Sequence, residues 1–232
     1  MQGQGEEVTR PASLPKLRLR SAHVQHIGYV RTNQEDAFLD EPLLYAVADG
    51  MGGHEAGEIA SRLAIEAVRD GLTNSSFDVD RTFRAAHVRV LSVSQRHYRG
   101  HGTTLTVLSF RGGSGLIGHV GDSRVYRVRD GRGEQITKDH VSWGHAISNC
   151  IGVSKDSFKG ADVSEIDVEV GDVYVLATDG LTNYLDARDV IPFVVGPRHD
   201  GFAQNVADAL VRAALAAGGQ DNVTVVVVEV LS

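Results

Sequence analysis

At 232 residues, with 42% hydrophobic and 23% charged side chains, the chain can bury one sizeable core and has the make-up of a globular protein. A formal net charge of -7 argues against nucleic acid as a partner, because phosphate backbones are gripped by concentrated cationic surface. The lone cysteine, Cys150, allows neither an internal disulfide nor a CxxC zinc pattern, and no apolar run is long enough to span a bilayer, so a cytoplasmic protein with no membrane contact is expected.

Residues 1–15 carry Gly and Pro breakers without periodicity and read as a flexible tail; no linker divides 16–232, which reads as a single domain. Leu17, Leu19 and Ser21 alternate with Arg18 and Arg20 as in a strand, and Gly28 suggests a turn into a second strand at Tyr29-Val30. Next, Arg31 stands just ahead of Glu35 and Asp36. A guanidinium can grip a phosphate with two parallel hydrogen bonds, and such acids can hold metal-bound water; a plain surface pair of Arg31 with Glu35 is the alternative. The run Tyr45-Ala46-Val47-Ala48-Asp49-Gly50-Met51-Gly52-Gly53 organises the chain. It reads as a buried strand that delivers the Asp49 carboxylate, and the Gly50 carbonyl with it, to a sheet edge where both can meet a hard cation, unless it ends in an ordinary Asp-Gly turn.

Ala56, Ile59, Ala60, Leu63, Ala64, Ala67 and Val68 recur at helical spacing, which predicts a helix from Glu55 to Asp70 stopped by Gly71. A second helix is expected from Asp80 to Tyr98, with His87 packed on its inner stripe. Four short strands, Thr103–Phe110, Leu116–Val120, Arg124–Arg129 and Gly133–Thr137, then read as an antiparallel meander, and Asp122 repeats the glycine-flanked design of Asp49. Between 138 and 160, where His140, Trp143, His145 and Cys150 lie, periodicity fails, as it does in functional loops. A hairpin about Gly171-Asp172 is expected to join Asp167–Val170 to Val173–Ala177, which ends at Thr178-Asp179-Gly180. Helices over Asp186–Val195 and Gly201–Ala217 follow, and Asp221 opens the most β-prone run, Val223–Val230.

Asp49, Asp122, Asp179 and Asp221 thus fall at strand ends. Brought together they would repel one another, a conflict that divalent cations resolve, and all-oxygen donors point to Mg²⁺ or Mn²⁺. Hard cations beside a free arginine suit phosphoryl chemistry.

Arg31 through Ala37, Val47 through His54, Gly102-Thr103-Thr104, Val120 through Arg124, Leu176 through Leu181 and Gln220 through Thr224 resemble, in order, the motifs of the PP2C (PPM) family of metal-dependent serine/threonine protein phosphatases, in its bacterial branch. The resemblance covers 16–230. It implies an α+β fold, two packed antiparallel β-sheets flanked by helices in an α-β-β-α sandwich, with two or three Mn²⁺ or Mg²⁺ ions at one end. By position it implies that Asp49 bridges two ions, that the Gly50 carbonyl binds the second, that Asp179 and Asp221 complete the first, and that Asp122 and Asp179 hold a third. Arg31 would bind the substrate phosphate, while Glu35 and Asp36 would order metal-bound water. The implied reaction is in-line attack on phosphoserine or phosphothreonine by a metal-bridging hydroxide in a monomer that opposes a serine/threonine kinase on its target proteins. A catalytically weak phosphoprotein-binding module and a hydrolase of small phosphate esters are the alternatives.

Three departures from the family stand out. Met51 occupies the place where animal members put a histidine assigned as general acid, so the leaving group must be protonated by water or another group, with His54 as a candidate. His26 stands where many bacterial relatives have aspartate. The flap at 138–160 is short, which predicts an open cleft.

Overall fold

The computed structural model describes residues 17–52, 55–73, 76–97, 100–142 and 146–231. The expected tail, His54, Trp143 and His145 lie outside them.

Two antiparallel sheets pack face to face. The first orders β1 (Leu19–His26), β13 (Val223–Val230), β12 (Val173–Ala177), β9 (Arg124–Arg129) and β10 (Arg132–Gln135). The second orders β11 (Asp162–Asp167), β8 (Ser114–Val120), β7 (Leu105–Arg111), β3 (Leu44–Met51) and β2 (Asp36–Glu41), with β6 (Gly102–Thr103) on the end of β3. A short β4 (Leu72–Thr73) and β5 (Ser76–Phe77) pair beside the second sheet.

Side chains alternate across a strand, so one run of residues feeds two cores. From β3, Tyr45 and Val47 enter the space between the sheets with Leu108, Tyr174, Leu176, Val226 and Val228. Leu44, Ala46 and Ala48 face outward against α1 (Glu55–Gly71) and α2 (Val79–His97), the latter through Phe83 and Val90. Likewise Val223, Val225 and Val227 of β13 turn outward to α5 (Phe202–Ala216), beside α4 (Ala187–Val194) and the single turn α3 (Asp179–Thr182). Burial on both faces explains why β3 and β13 read as unbroken apolar runs. The result is the α-β-β-α sandwich expected.

Three local expectations are corrected. Tyr29-Val30 is not a strand: Tyr29 N donates to Gly219 O at 2.6 Å, and both side chains are exposed. The strand on this stretch is β2, paired with β3 through Asp36↔Asp49. The meander is divided, since β7 and β8 pair in the second sheet while β9 and β10 pair in the first, with the chain crossing between sheets at Gly121-Asp122. The hairpin about Gly171 is a second crossing: β11 pairs with β8, and β12 lies in the first sheet between β9 and β13. Asp172, fully buried on Arg129, pins that crossing. Between 138 and 160 the described residues form only the isolated bridges Thr103↔Ile151 and Val141↔Ile147. His87 is packed as expected, stacked on Phe158 with its Nδ1 accepting from Gly152 N at 3.1 Å.

Candidate active site

The odd-numbered residues of β3 point between the sheets, so Asp49, two residues past Val47, sends its carboxylate into the end of the intersheet space. Its backbone is held on both sides. Asp49 N donates to Thr104 Oγ1, and Asp49 O accepts from Thr104 N and from Thr103 Oγ1, each at 2.9 Å. Gly50 then passes so close to its neighbours that a Cβ would stand 2.2 Å from Gly57 O and 2.5 Å from Glu35 O; only glycine fits there. Gly50 N donates to Glu35 O at 3.1 Å, and Ser61 Oγ donates to the same carbonyl at 2.6 Å.

Antiparallel pairing of β12 with β13 brings the end of one beside the start of the other, with Ala177 opposite Val225. Asp179 and Asp221 therefore meet at the same end of the molecule as Asp49. Asp122 joins them from the β8-to-β9 crossing. Together Arg31, Glu35, Asp49, Asp122, Asp179 and Asp221 line a cavity of about 250 Å³.

Burial, first of all, and then mutual repulsion push the carboxyls of Asp49, Asp122 and Asp179 toward the neutral form. Asp49 is raised well above the usual carboxylate range by burial and by Asp36, Asp179 and Asp122. Asp179 is raised by burial and Asp221, and Asp122 by burial and Asp179, the latter to about 6. Asp49 shares a hydrogen bond with Asp179. Arg31 Nη2 donates to Asp221 Oδ2 at 2.6 Å, and that bond, with the nearby acids, holds the guanidinium even more firmly protonated than usual. As the side chains stand, no three metal-ligating groups among the described residues are gathered around one point. Their chemistry nonetheless fits hard cations: the donors are all oxygen, the charges are of one sign, and Asp122 Oδ1 is buried with no hydrogen-bond partner.

The protein phosphatase 2C profile matches residues 26–217. The chain belongs to the protein phosphatase 2C family. It is 32% identical to the serine/threonine protein phosphatase PstP of Mycobacterium tuberculosis over 93% of its own length, and spans 46% of that relative. With the protein phosphatase PhpP of Streptococcus pneumoniae it shares 30% identity, over 87% of this chain and 94% of PhpP. The solved catalytic domain of PstP in complex with two manganese ions superimposes with a TM-score of 0.83 at 33% identity, covering 94% of this chain and all of that one (100%).

Within this protein phosphatase 2C chain, Glu35 lines the cavity whereas Asp36 does not. Asp36 Oδ2 instead accepts from Thr178 Oγ1 at 2.8 Å and Thr224 Oγ1 at 2.7 Å, which ties the second sheet to the first one residue before Asp179. Burial, opposed by those two hydroxyls and reinforced by Asp179 and Asp221, raises Asp36 to about 7. Asn222, next to Asp221, does similar work: Nδ2 donates to Ile27 O and Asn33 O, and Oδ1 accepts from Glu35 N, so the loop bearing Arg31 is hung from the start of β13. His26 Nδ1 accepts from Gly28 N at 2.9 Å at the root of that loop. Thr104, Thr178, Thr224 and Asn222 all lie inside motifs visible in the sequence, but nothing local marks them as the parts that aim the acids. Met51 and Ile147 supply apolar wall to the cavity.

Proposed function

We propose that this chain hydrolyses phosphoserine and phosphothreonine in proteins with the help of divalent metal ions, opposing a serine/threonine kinase in the cytoplasm. The observation that carries the reading is the convergence of acids from both sheets on one cavity, where Arg31 at the rim pairs with Asp221 alone. The relatives named serine/threonine protein phosphatases, one of them solved with two manganese ions, support it. Asp49, the Gly50 carbonyl, Asp179 and Asp221 would hold a pair of Mn²⁺ or Mg²⁺ ions, and Asp122 with Asp179 a third. Bound there, the ions supply positive charge that neutralises the acids and Lewis acidity toward phosphoryl oxygen and water.

The remaining groups belong to the chain itself. Arg31, half-exposed at 49%, can turn its guanidinium from Asp221 to the phosphate and grip two of its oxygens in parallel. Substrate therefore competes with Asp221 for Arg31, which ties phosphate binding to the charge on that acid. Glu35 orders water at the cavity wall, and Asp36 steadies Asp179 through Thr178. His54 donates the proton to the leaving oxygen; an unchanged rate and pH profile in His54→Ala would remove it from that role. The short flap leaves the cleft open to folded phosphoproteins.

The experiment is hydrolysis of a phosphothreonine peptide in EDTA, Mg²⁺ or Mn²⁺, run beside Asp49→Asn. Phosphate release that needs the metal and falls on the order of 100-fold or more in the variant, the scale of removing one preorganised charge, is expected. No release with either ion from folded protein would favour the phosphoprotein-binding module.

A further inference from the structure

The chain entering the flap is stitched to the turn that carries Asp122. His140 N donates to Gly121 O at 2.7 Å, and Gly121 N donates back to His140 Nδ1 at 3.1 Å. A ring nitrogen that accepts from an amide bears no proton, so Nε2 carries it and donates to Asp162 Oδ2 on β11 at 3.2 Å. The ring stacks on buried His119, with centroids 5.0 Å apart. His119 is fixed at both nitrogens, by Thr106 Oγ1 at 2.9 Å and Lys138 O at 3.2 Å, and cannot yield.

This matters because of what Gly121 does. β8 ends at Val120, and Gly121 leaves it with φ +111, a conformation that side chains rarely adopt, in a space where a Cβ would stand 2.5 Å from Thr104. Gly121 is thus aimed from both sides, its N–H by the His140 ring and its carbonyl by the His140 amide, and by the packing of Thr104. The next residue is Asp122, whose buried Oδ1 has no partner and whose carboxyl is opposed by Asp179. Holding that carboxylate in place against repulsion requires a rigid peptide behind it.

We propose that His140 is a positioning residue for a cation at Asp122: by accepting from the Gly121 amide through Nδ1, its ring fixes the orientation of Gly121, the residue from which Asp122 leaves the strand, and thereby sets the affinity of that site. The inference rests on the reading of Asp122 as a metal ligand. It also makes the flap and the cation interdependent, because the residue that aims the ligand is the first anchor of the flap.

The test is Mn²⁺ titration of the whole chain, with free ion followed by electron paramagnetic resonance, for His140→Asn, His140→Gln, Asp122→Asn and the double variant Asp122→Asn with His140→Gln. Asparagine puts Oδ1 at the same bond distance from Cβ as Nδ1 and can accept from Gly121 N; glutamine places its amide where Nε2 lies and cannot. His140→Gln is expected to weaken the weakest Mn²⁺ site about tenfold or more, the usual cost of losing a group that orients a ligand. His140→Asn should stay close to the parent, and His140→Gln should add nothing once Asp122 is Asn. Loss of the ring stack strikes both His140 variants alike, so a purely structural role would not separate them. Equal behaviour of the two His140 variants, with the site weakened by Asp122→Asn, overturns the inference and leaves the metal reading standing. An Asp122→Asn variant with every site unchanged overturns both.

Discussion

Strand β12 has an acid at each end, and the two are treated in opposite ways. Asp172, just before it, is fully buried and met by a bidentate Arg129, Nε to Oδ1 at 2.6 Å and Nη2 to Oδ2 at 2.7 Å, with Glu169 N and the Tyr174 hydroxyl completing its partners. Asp179, two residues past the other end, shares a cavity with Asp49, Asp122 and Asp221, and the arginine that lines it, Arg31, is half-exposed and committed to Asp221. One end is a finished ion pair that pins a sheet crossing. The other is an electrostatic debt within the fold that a ligand must settle. Clustered acids mark a site only where the protein withholds its own counter-charge, and at Asp172 this chain shows that it can supply one.

The largest expected effect separates the two ends by the sign of the stability change. Arg129→Met leaves Asp172 buried without its counter-charge and should lower stability by about 3 kcal/mol in urea unfolding, with phosphate release per folded molecule unchanged. Asp49→Asn should do the reverse: it relieves repulsion among the acids, so in EDTA the protein unfolds at equal or higher urea, while in Mn²⁺ its activity is lost. Matching stability losses in the two variants would end the contrast.

A pH series sharpens the same comparison. Asp36 and Asp122 are raised to about 7 and about 6 in the folded chain, above the ordinary value of 3.8. Between those values the folded protein keeps protons that the unfolded chain has released. The stability these groups contribute is therefore full below the ordinary value and is lost as pH rises through 6 and 7. In EDTA the slope should approach about 1.4 kcal/mol per pH unit for each proton involved, and saturating Mn²⁺ should flatten it by taking the place of the protons. At the opposite end, Arg129 holds Asp167 below its usual range, so its smaller contribution is lost only as pH falls. Urea midpoints in EDTA that rise between pH 5 and 8 would contradict this assignment.

The parts of the molecule that could be read from the sequence are those whose environment is set locally or by simple burial. β3 announces itself because both its faces are covered, and α1 because its apolar residues recur at helical spacing and stop at Gly71. The four acids stood out because each sits at the end of such an element. Sheet membership was not legible. Gly121-Asp122 and Gly171-Asp172 both look like hairpin turns, yet each carries the chain from one sheet to the other, because strand partners are chosen by packing across the whole sandwich. The same reason hid the role of Asp36, expected to order metal-bound water: its bonds to Thr178 and Thr224 span 142 and 188 residues of sequence.

The smallest effect concerns single hydroxyls at the two ends. Thr104 Oγ1 accepts from Asp49 N and exchanges a hydrogen bond with Ser123 Oγ, both at 2.9 Å, in a fully buried setting. Thr104→Val keeps the shape and removes the acceptor, which should cost about 1–2 kcal/mol and weaken Mn²⁺ binding about tenfold, since the peptide that aims Asp49 loses a partner. Thr104→Ser should restore the binding. Tyr174→Phe removes a hydroxyl of the same kind from Asp172, where Arg129 and Glu169 N remain, and should cost about 1 kcal/mol with Mn²⁺ affinity unchanged. Mn²⁺ titration with urea unfolding on the three variants decides between them. If Tyr174→Phe loosened the metal as much as Thr104→Val, the two ends of β12 would be one coupled network. If only Thr104→Val does so, the hydroxyls at the open end serve to hold the acids apart and in place for an ion, which those at the closed end have no cause to do.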